Sequence, residues 1–137
     1  MRSVRTAWRP ASRSGSVTAG FCELWNAFCA LMARARGTSE IFDAAELRVK
    51  ESDRVAVMAQ MLRDLGVPVE ELPNGLVVTG PARLAGARVD PRDDHRIAMA
   101  AAVAGLAGAA PVVIDDPECA EVSFPGFYAT LAKAAGA

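Results

Sequence analysis

Two short charged stretches hold most of the residues that could do chemistry in this chain. The first is Glu46-Leu-Arg-Val-Lys-Glu-Ser-Asp-Arg54, where a strand pattern gives way to a helical one. Cations at the start of a helix suit an anionic ligand. Lys50 and Arg54 are a pair typical of phosphate and carboxylate sites, and their spacing predicts that both lie on one side of the first helical turn. Glu51 adds a group for proton transfer.

The second charged stretch is Asp93-Asp-His-Arg96, at the start of another predicted helix. His95 is the only histidine of the chain and titrates near neutral pH, so it can carry a proton or contact a ligand. Arg96 opens an otherwise apolar helix, where its charge must meet an anion or water. The two stretches together predict one anion site. The alternative is a pair of solvated helix starts, each with an aspartate as its N-cap. One histidine without a CxxC spacing argues against a zinc site.

Composition excludes several classes of protein. The chain has 137 residues, the size of one domain, and a net charge of −1, which does not suit a general nucleic-acid binder. No apolar run is long enough for a membrane span, and three cysteines without a pairing pattern suggest a reducing cytoplasm.

The start of the chain differs in composition from the rest. Residues 1–36 contain six arginines and one acid, whereas residues 37–137 contain nine Lys and Arg against fifteen Asp and Glu. The composition resembles a transit peptide or a nucleic-acid-binding arm, and an altered gene start would also produce it. We expect residues 1–20 to be a disordered or non-homologous stretch and residues 21–137 to fold.

The elements that must position these residues follow from periodicity and turn signals. Apolar spacing predicts helices over 21–36, 51–65 and 94–106, a last helix after the Ser123-Phe-Pro element, and strands over 38–43, 84–89 and 111–115. The Pro73-Asn-Gly75 turn predicts a hairpin between 67–72 and 76–79. This order favours an α+β fold with helices packed on one face of a mixed sheet. Phe124 and Phe127 are expected core anchors.

Three motifs resemble the C-terminal part of one enzyme family. Glu46–Arg54, Asp94-His-Arg-Ile-Ala-Met99 and Ser123-Phe-Pro125 with Phe127 match EPSP synthase, 3-phosphoshikimate 1-carboxyvinyltransferase, in order and spacing. The resemblance runs from about Gly37 to the C-terminus. It is more specific than any resemblance to the sister UDP-N-acetylglucosamine enolpyruvyl transferase.

The resemblance implies a fold and a reaction. The family is built from βαβαββ repeats in two domains, with the active site between them. It transfers enolpyruvyl from phosphoenolpyruvate to shikimate 3-phosphate in the shikimate pathway, which leads to chorismate and aromatic amino acids, and it uses no cofactor. Carried over by position, Lys50 contacts the substrates, Glu51 and Lys50 are catalytic, and Arg54, His95 and Arg96 bind substrate. No nucleic acid or membrane partner is implied.

Two positions depart from the family pattern. The segment Cys22-Glu-Leu-Trp-Asn26 lacks the aspartate that the family uses as a catalytic group, and Val122 stands where many members carry lysine. Much of the family's length also has no counterpart. We therefore expect a fragment that is inactive alone and needs the missing N-terminal domain of the same enzyme. The alternative is a non-catalytic anion-binding or interaction domain that complements a separate N-terminal half.

Overall fold

The computed structural model describes the backbone of residues 5–8 and 17–137 and side chains from residue 25 onward. Most of the predicted disordered stretch 1–20 lies outside these residues, and its boundary stays a prediction. The strand β1, Arg5–Trp8, was not predicted. It pairs in parallel with the next strand of the sheet, so its partner is distant in sequence and no local pattern announces it.

The first part of the fold is a βαβαββ unit. After β1 it contains helix α1 (Val17–Met32), strand β2 (Gly37–Ile41), a 3₁₀ helix (Ala45–Val49), helix α2 (Arg54–Asp64), and strands β3 (Val69–Leu72) and β4 (Gly75–Gly80). The four strands form one mixed sheet in the order β1-β2-β4-β3. Leu76 and Val78 of β4 are buried while Val77 and Thr79 alternate with them, so one face of the sheet carries the helices. The α+β prediction is confirmed.

The second part begins another unit of the same kind. Strand β5 (Ala87–Val89) is joined to the parallel strand β6 (Val112–Ile114) through helix α3 (His95–Ala107). Helices α4 (Glu118–Ser123) and α5 (Phe127–Ala134) follow. Gly105 of α3 lies against β6, where an added Cβ would approach Val112 to 3.3 Å, so close packing requires the small residue.

The core lies between the helices and the sheet. Its large, fully buried side chains come from α1, α2, α3, the 3₁₀ helix and both sheets, and they include Trp25, Ile41, Leu47, Met58, Leu62, Leu76, Val89 and Ile97. A smaller apolar cluster joins α3 to α4 through Ala98, Cys119 and Ala120. Phe124 is 47% exposed, so the prediction of a core anchor is wrong there. The backbone turns between α4 and α5, and the ring packs against Phe127 in an edge-to-face arrangement.

The predicted hairpin is present, but turn conformation is not the reason why glycine occupies position 75. β3 and β4 pair from Val69 with Val78 to Leu72 with Gly75. A Cβ on Gly75 would lie 1.8 Å from the carbonyl oxygen of Ile41 in β2. The close approach of two strands, rather than a left-handed turn, therefore demands glycine here.

Among the helices that the structure describes, none has the length and apolar character needed to cross a bilayer.

Candidate active site

The first charged stretch is mostly a loop rather than a helix start. Helix α2 begins at Arg54, three residues later than predicted, because Asp53 is its N-cap and accepts a hydrogen bond from the amide of Ala56 at 3.0 Å. Lys50 and Glu51 thus precede the helix. The prediction that Lys50 and Arg54 share one side of a helical turn is wrong, because Lys50 has an extended backbone and the helix begins only at Arg54.

Arg48 anchors this loop to the hairpin. Its guanidinium donates to Asp53 at 2.9 Å and to Glu71 at 3.0 Å, and it also donates to the carbonyl oxygens of Leu72 and Pro73. These contacts occupy the side chain within the protein. Arg48 therefore positions the residues that follow it and is not a candidate ligand contact.

Arg54 joins the first stretch to the second. Its side chain is only 3% exposed, and its Nε donates to Oδ2 of Asp94 at 2.8 Å across a separation of 40 residues. The hydroxyl of Ser52 donates to the same oxygen at 2.8 Å. The structure therefore brings the two charged stretches together, as the sequence predicts.

Asp94 is the buried carboxylate at the centre of this arrangement. Its other oxygen accepts from the amide of Arg96 at 3.0 Å and caps helix α3. Burial alone would raise the pKa of Asp94, but the hydrogen bonds from Arg54 and Ser52 outweigh it and hold that pKa below its ordinary value. Asp94 is thus a fixed anion that holds Arg54 in place.

The loop before Asp94 adopts a rare backbone conformation. Arg92 and Asp93 both have positive φ, at 51° and 60°. Two consecutive non-glycine residues in this region carry a conformational cost, which the rest of the structure must offset. This turn places Asp94 at the N-terminus of α3, where its side chain contacts Arg54.

Glu51 is the accessible carboxylate of the site. Its side chain is 55% exposed, and it accepts a hydrogen bond from Nη2 of Arg54. Its pKa lies below the ordinary value, first because of the hydrogen bond from its own backbone amide and further because of the charge of Arg54. Glu51 therefore favours the carboxylate form, which is the form that can accept a proton.

The remaining predicted residues belong to the same two chain segments as this pair. Lys50 is exposed, His95 is the first residue of α3, and Arg96 follows it, half-buried beside the cavity between α1 and α3. Cations that share these segments with an accessible carboxylate can bind an oxyanion and exchange a proton with it.

Two contributors to the site were not predicted from the sequence: Ser52, and Asp94 as the partner of Arg54. A signal for Asp94 existed, because a buried arginine after one helix start requires a carboxylate from elsewhere. The side chains of Cys22 and Glu23 lie outside the described residues. Within the described part of the chain, no cluster of three or more His, Cys, Asp or Glu residues could hold a metal ion.

Comparison with known proteins matches this chain to one family. The family model for EPSP synthase (3-phosphoshikimate 1-carboxyvinyltransferase) matches residues 21–131. The 3-phosphoshikimate 1-carboxyvinyltransferase of Gloeobacter violaceus is 57% identical over 99 residues, which is 72% of this chain and 23% of that protein. The same enzyme of Methanocorpusculum labreanum is 44% identical over 111 residues, 81% of this chain and 26% of its own length.

A solved structure agrees with the sequence comparisons. EPSP synthase from Acinetobacter baumannii superposes with a TM-score of 0.80 at 34% identity, over 87% of this chain and 28% of that one. The chain thus spans about a quarter of the length of the proteins that it matches. Since the family match covers most of its residues, the chain belongs to the EPSP synthase family.

Proposed function

We propose that this chain forms one wall of a 3-phosphoshikimate 1-carboxyvinyltransferase active site. In that reaction the enolpyruvyl group of phosphoenolpyruvate passes to the 5-hydroxyl of shikimate 3-phosphate, and phosphate leaves. The observation that carries the proposal is the hydrogen bond from Arg54 to Asp94, because it unites the two charged stretches in a member of the EPSP synthase family.

The side chain of Arg54 has two ion-pair partners, one buried and one exposed, and the exposed one is exchangeable. Nε is held by Asp94, which is 0% exposed, whereas Nη2 is held by Glu51, which is 55% exposed. A phosphate or carboxylate oxygen of the substrate can replace Glu51 on Nη2 without disturbing Asp94. Lys50, His95 and Arg96 would supply the further contacts, since phosphoenolpyruvate carries both a phosphate and a carboxylate.

Glu51 is proposed for the proton transfers. In the addition step the hydroxyl oxygen bonds to C2 of phosphoenolpyruvate, the hydroxyl loses its proton and C3 gains one. In the elimination step C3 loses a proton and the C2–O bond to phosphate breaks. A carboxylate with a lowered pKa can take one of the departing protons, and its release from Arg54 by the substrate would make it more basic. Lys50 would stabilise the developing negative charge on the departing phosphate.

The part of the enzyme that this chain does not match is the proposed partner. A chain that covers 23% of a relative's length supplies one side of the site, so we expect no turnover by this chain alone. The same observation favours a second candidate, a non-catalytic anion-binding domain that complements a separate N-terminal half. Recovery of phosphate release on mixing with that half would distinguish the catalytic role from the non-catalytic one.

The test is a titration of the ¹⁵N-labelled chain with phosphoenolpyruvate and shikimate 3-phosphate, followed by NMR. Saturable shifts are expected at Lys50, Glu51, Arg54, His95 and Arg96. Lys50→Met should weaken binding, whereas Lys133→Met, which removes an equally charged exposed lysine from α5, should leave it unchanged. A dispersed spectrum in which neither substrate shifts these residues would contradict the proposal.

A further inference from the structure

The loop between the 3₁₀ helix and α2 carries Lys50 and Glu51 on the surface of the fold. Both residues are exposed, and the apolar Val49 before them is 83% exposed. Leu47, by contrast, is fully buried in the core. Burial therefore fixes the chain up to Leu47, whereas polar contacts must fix the three residues that follow Arg48.

Arg48 connects the two ends of this loop. It directly precedes Val49, and its Nη1 donates at 2.9 Å to Oδ2 of Asp53, which is the N-cap of α2. A side chain at the start of the loop thus contacts the residue at its end, five positions along the chain. One guanidinium therefore sets the span that the backbone of Lys50 and Glu51 must bridge.

The same guanidinium attaches the loop to the hairpin. Its Nη2 donates to Oε1 of Glu71 at 3.0 Å and to the carbonyl oxygen of Leu72 at 2.7 Å, and its Nε donates to that of Pro73 at 2.8 Å. A planar fork of donors reaches two carboxylates and two carbonyl oxygens in fixed directions, which a single ammonium group cannot do. Strand β3, at one end of the sheet, thereby supports the loop.

Glu71 has a second arginine partner that does not belong to the loop. Nη1 of Arg63, in α2, lies 3.9 Å from Oε2 of Glu71, and the Arg63 side chain is 43% exposed. A long ion pair at an exposed position contributes little. The shorter contact with Arg48, whose side chain is 25% exposed, therefore orients Glu71, and Arg63 offers a matched control.

We propose that Arg48 and Glu71 are positioning residues of the active site, which hold the loop so that Lys50 and Glu51 face the substrates. The proposal rests on the function proposed above, because it gives the hairpin a part in placing the groups of that reaction. A displacement of about 1 Å near a reacting group can cost about 100-fold in rate, whereas partly exposed ion pairs add little to stability. The Arg48–Glu71 pair should thus matter more for turnover than for folding.

The first measurement needs no substrate. In the ¹⁵N-labelled chain, Arg48→Met should lower the backbone order parameters of Lys50 and Glu51 from about 0.85, typical of rigid backbone, to below about 0.6. Glu71→Ala should lower them in the same way, and it provides the test if Arg48→Met does not fold. Arg63→Met removes the other arginine beside Glu71 and should leave both order parameters unchanged.

The pKa of Glu51, followed by ¹³C NMR of its carboxyl group, separates positioning from charge. That pKa is lowered first by its own backbone amide and further by Arg54, and both effects depend on the conformation of the loop. It should therefore rise in Arg48→Met. It should also rise in Arg48→Lys, which keeps the positive charge but loses the fork. A rise confined to Arg48→Met would mean that the charge acts directly, and it would reject the positioning role.

Turnover in the complex with the rest of the enzyme gives the third readout. The kcat should fall by about 10- to 100-fold in Arg48→Met and stay unchanged in Arg63→Met. If Arg48→Met lowers the Tm but leaves the loop ordered and the Glu51 pKa unaltered, Arg48 only stabilises the hairpin and the proposal is wrong.

The outcomes also separate positioning from the proposed reaction. A loop that loosens in Arg48→Met, within a chain that neither substrate shifts, would uphold the positioning role and reject the catalytic function. Substrate-induced shifts in a chain whose loop stays ordered in Arg48→Met and in Glu71→Ala would do the reverse.

Discussion

The guanidinium of Arg54 donates from Nε to Oδ2 of the fully buried Asp94 at 2.8 Å, and this bond connects the starts of helices α2 and α3. Asp94 also caps α3 through its other oxygen. One carboxylate therefore sets the position of the second helix start and the orientation of the arginine on the first. The geometry of the candidate site depends on this pair.

Replacing Asp94 with asparagine should destabilise the chain by about 3 kcal/mol. Asparagine keeps the capping oxygen but removes the charge that compensates the buried Arg54, and an unpaired buried charge is expensive. Urea unfolding monitored by circular dichroism measures the change. Asp53→Asn is the matched control, because that cap is partly exposed and should lose about 1 kcal/mol or less. Equal losses at both positions would contradict this account.

Stability should fall in acid because of Asp94. Its pKa in the folded chain lies below the unfolded value of about 3.9, so the unfolded state binds protons more readily. The stabilisation is therefore fully present above about pH 4 to 5 and is lost as the pH falls through the folded pKa. The Tm, recorded from pH 7 to pH 2, should drop more steeply for the unmodified chain than for Asp94→Asn. If the Tm of both proteins fell equally with pH, Asp94 would not be the cause of the acid sensitivity.

Glu51→Gln should lower the rate of phosphate release by about 100-fold or more in the complex with the rest of the enzyme, because the amide cannot accept a proton. Substrate-induced shifts of neighbouring amides should persist, since glutamine is nearly the same size. Glu118→Gln, which changes an exposed carboxylate on α4, should retain full activity. A Glu51→Gln complex with unaltered turnover would remove Glu51 from the reaction.

Gly75→Ala should destabilise the chain by about 3 kcal/mol or more, because the new methyl group meets the carbonyl of Ile41 at 1.8 Å and pushes β4 away from β2. Gly126→Ala is the comparison. That glycine has φ +75° but open space around it, so only the cost of its backbone conformation, about 1 kcal/mol, is expected. Thermal unfolding of both variants decides between close approach and backbone conformation as the reason for Gly75.

Local patterns in the sequence determined the long helices and the hairpin, and they predicted the site residues. The apolar stripe of α2 ends at Leu65, and Gly66, with φ +80°, closes that helix. The amide of Gly66 donates to the carbonyl oxygen of Arg63, and the amide of Val67 donates to that of Leu62. The motifs around Arg54 and Arg96 indicated an anion site and a family. These features depend on residues within a few positions of each other, so the sequence alone suffices to read them.

Only the tertiary structure decided which partners the charged residues have. Arg48 and Arg54 carry the same group six residues apart, yet one clamps the hairpin and the other pairs with Asp94. The strand β1 and the need for glycine at position 75 likewise depend on segments distant in the chain. Sequence reveals which side chains can bind an anion; burial and long-range contacts decide which of them are already occupied.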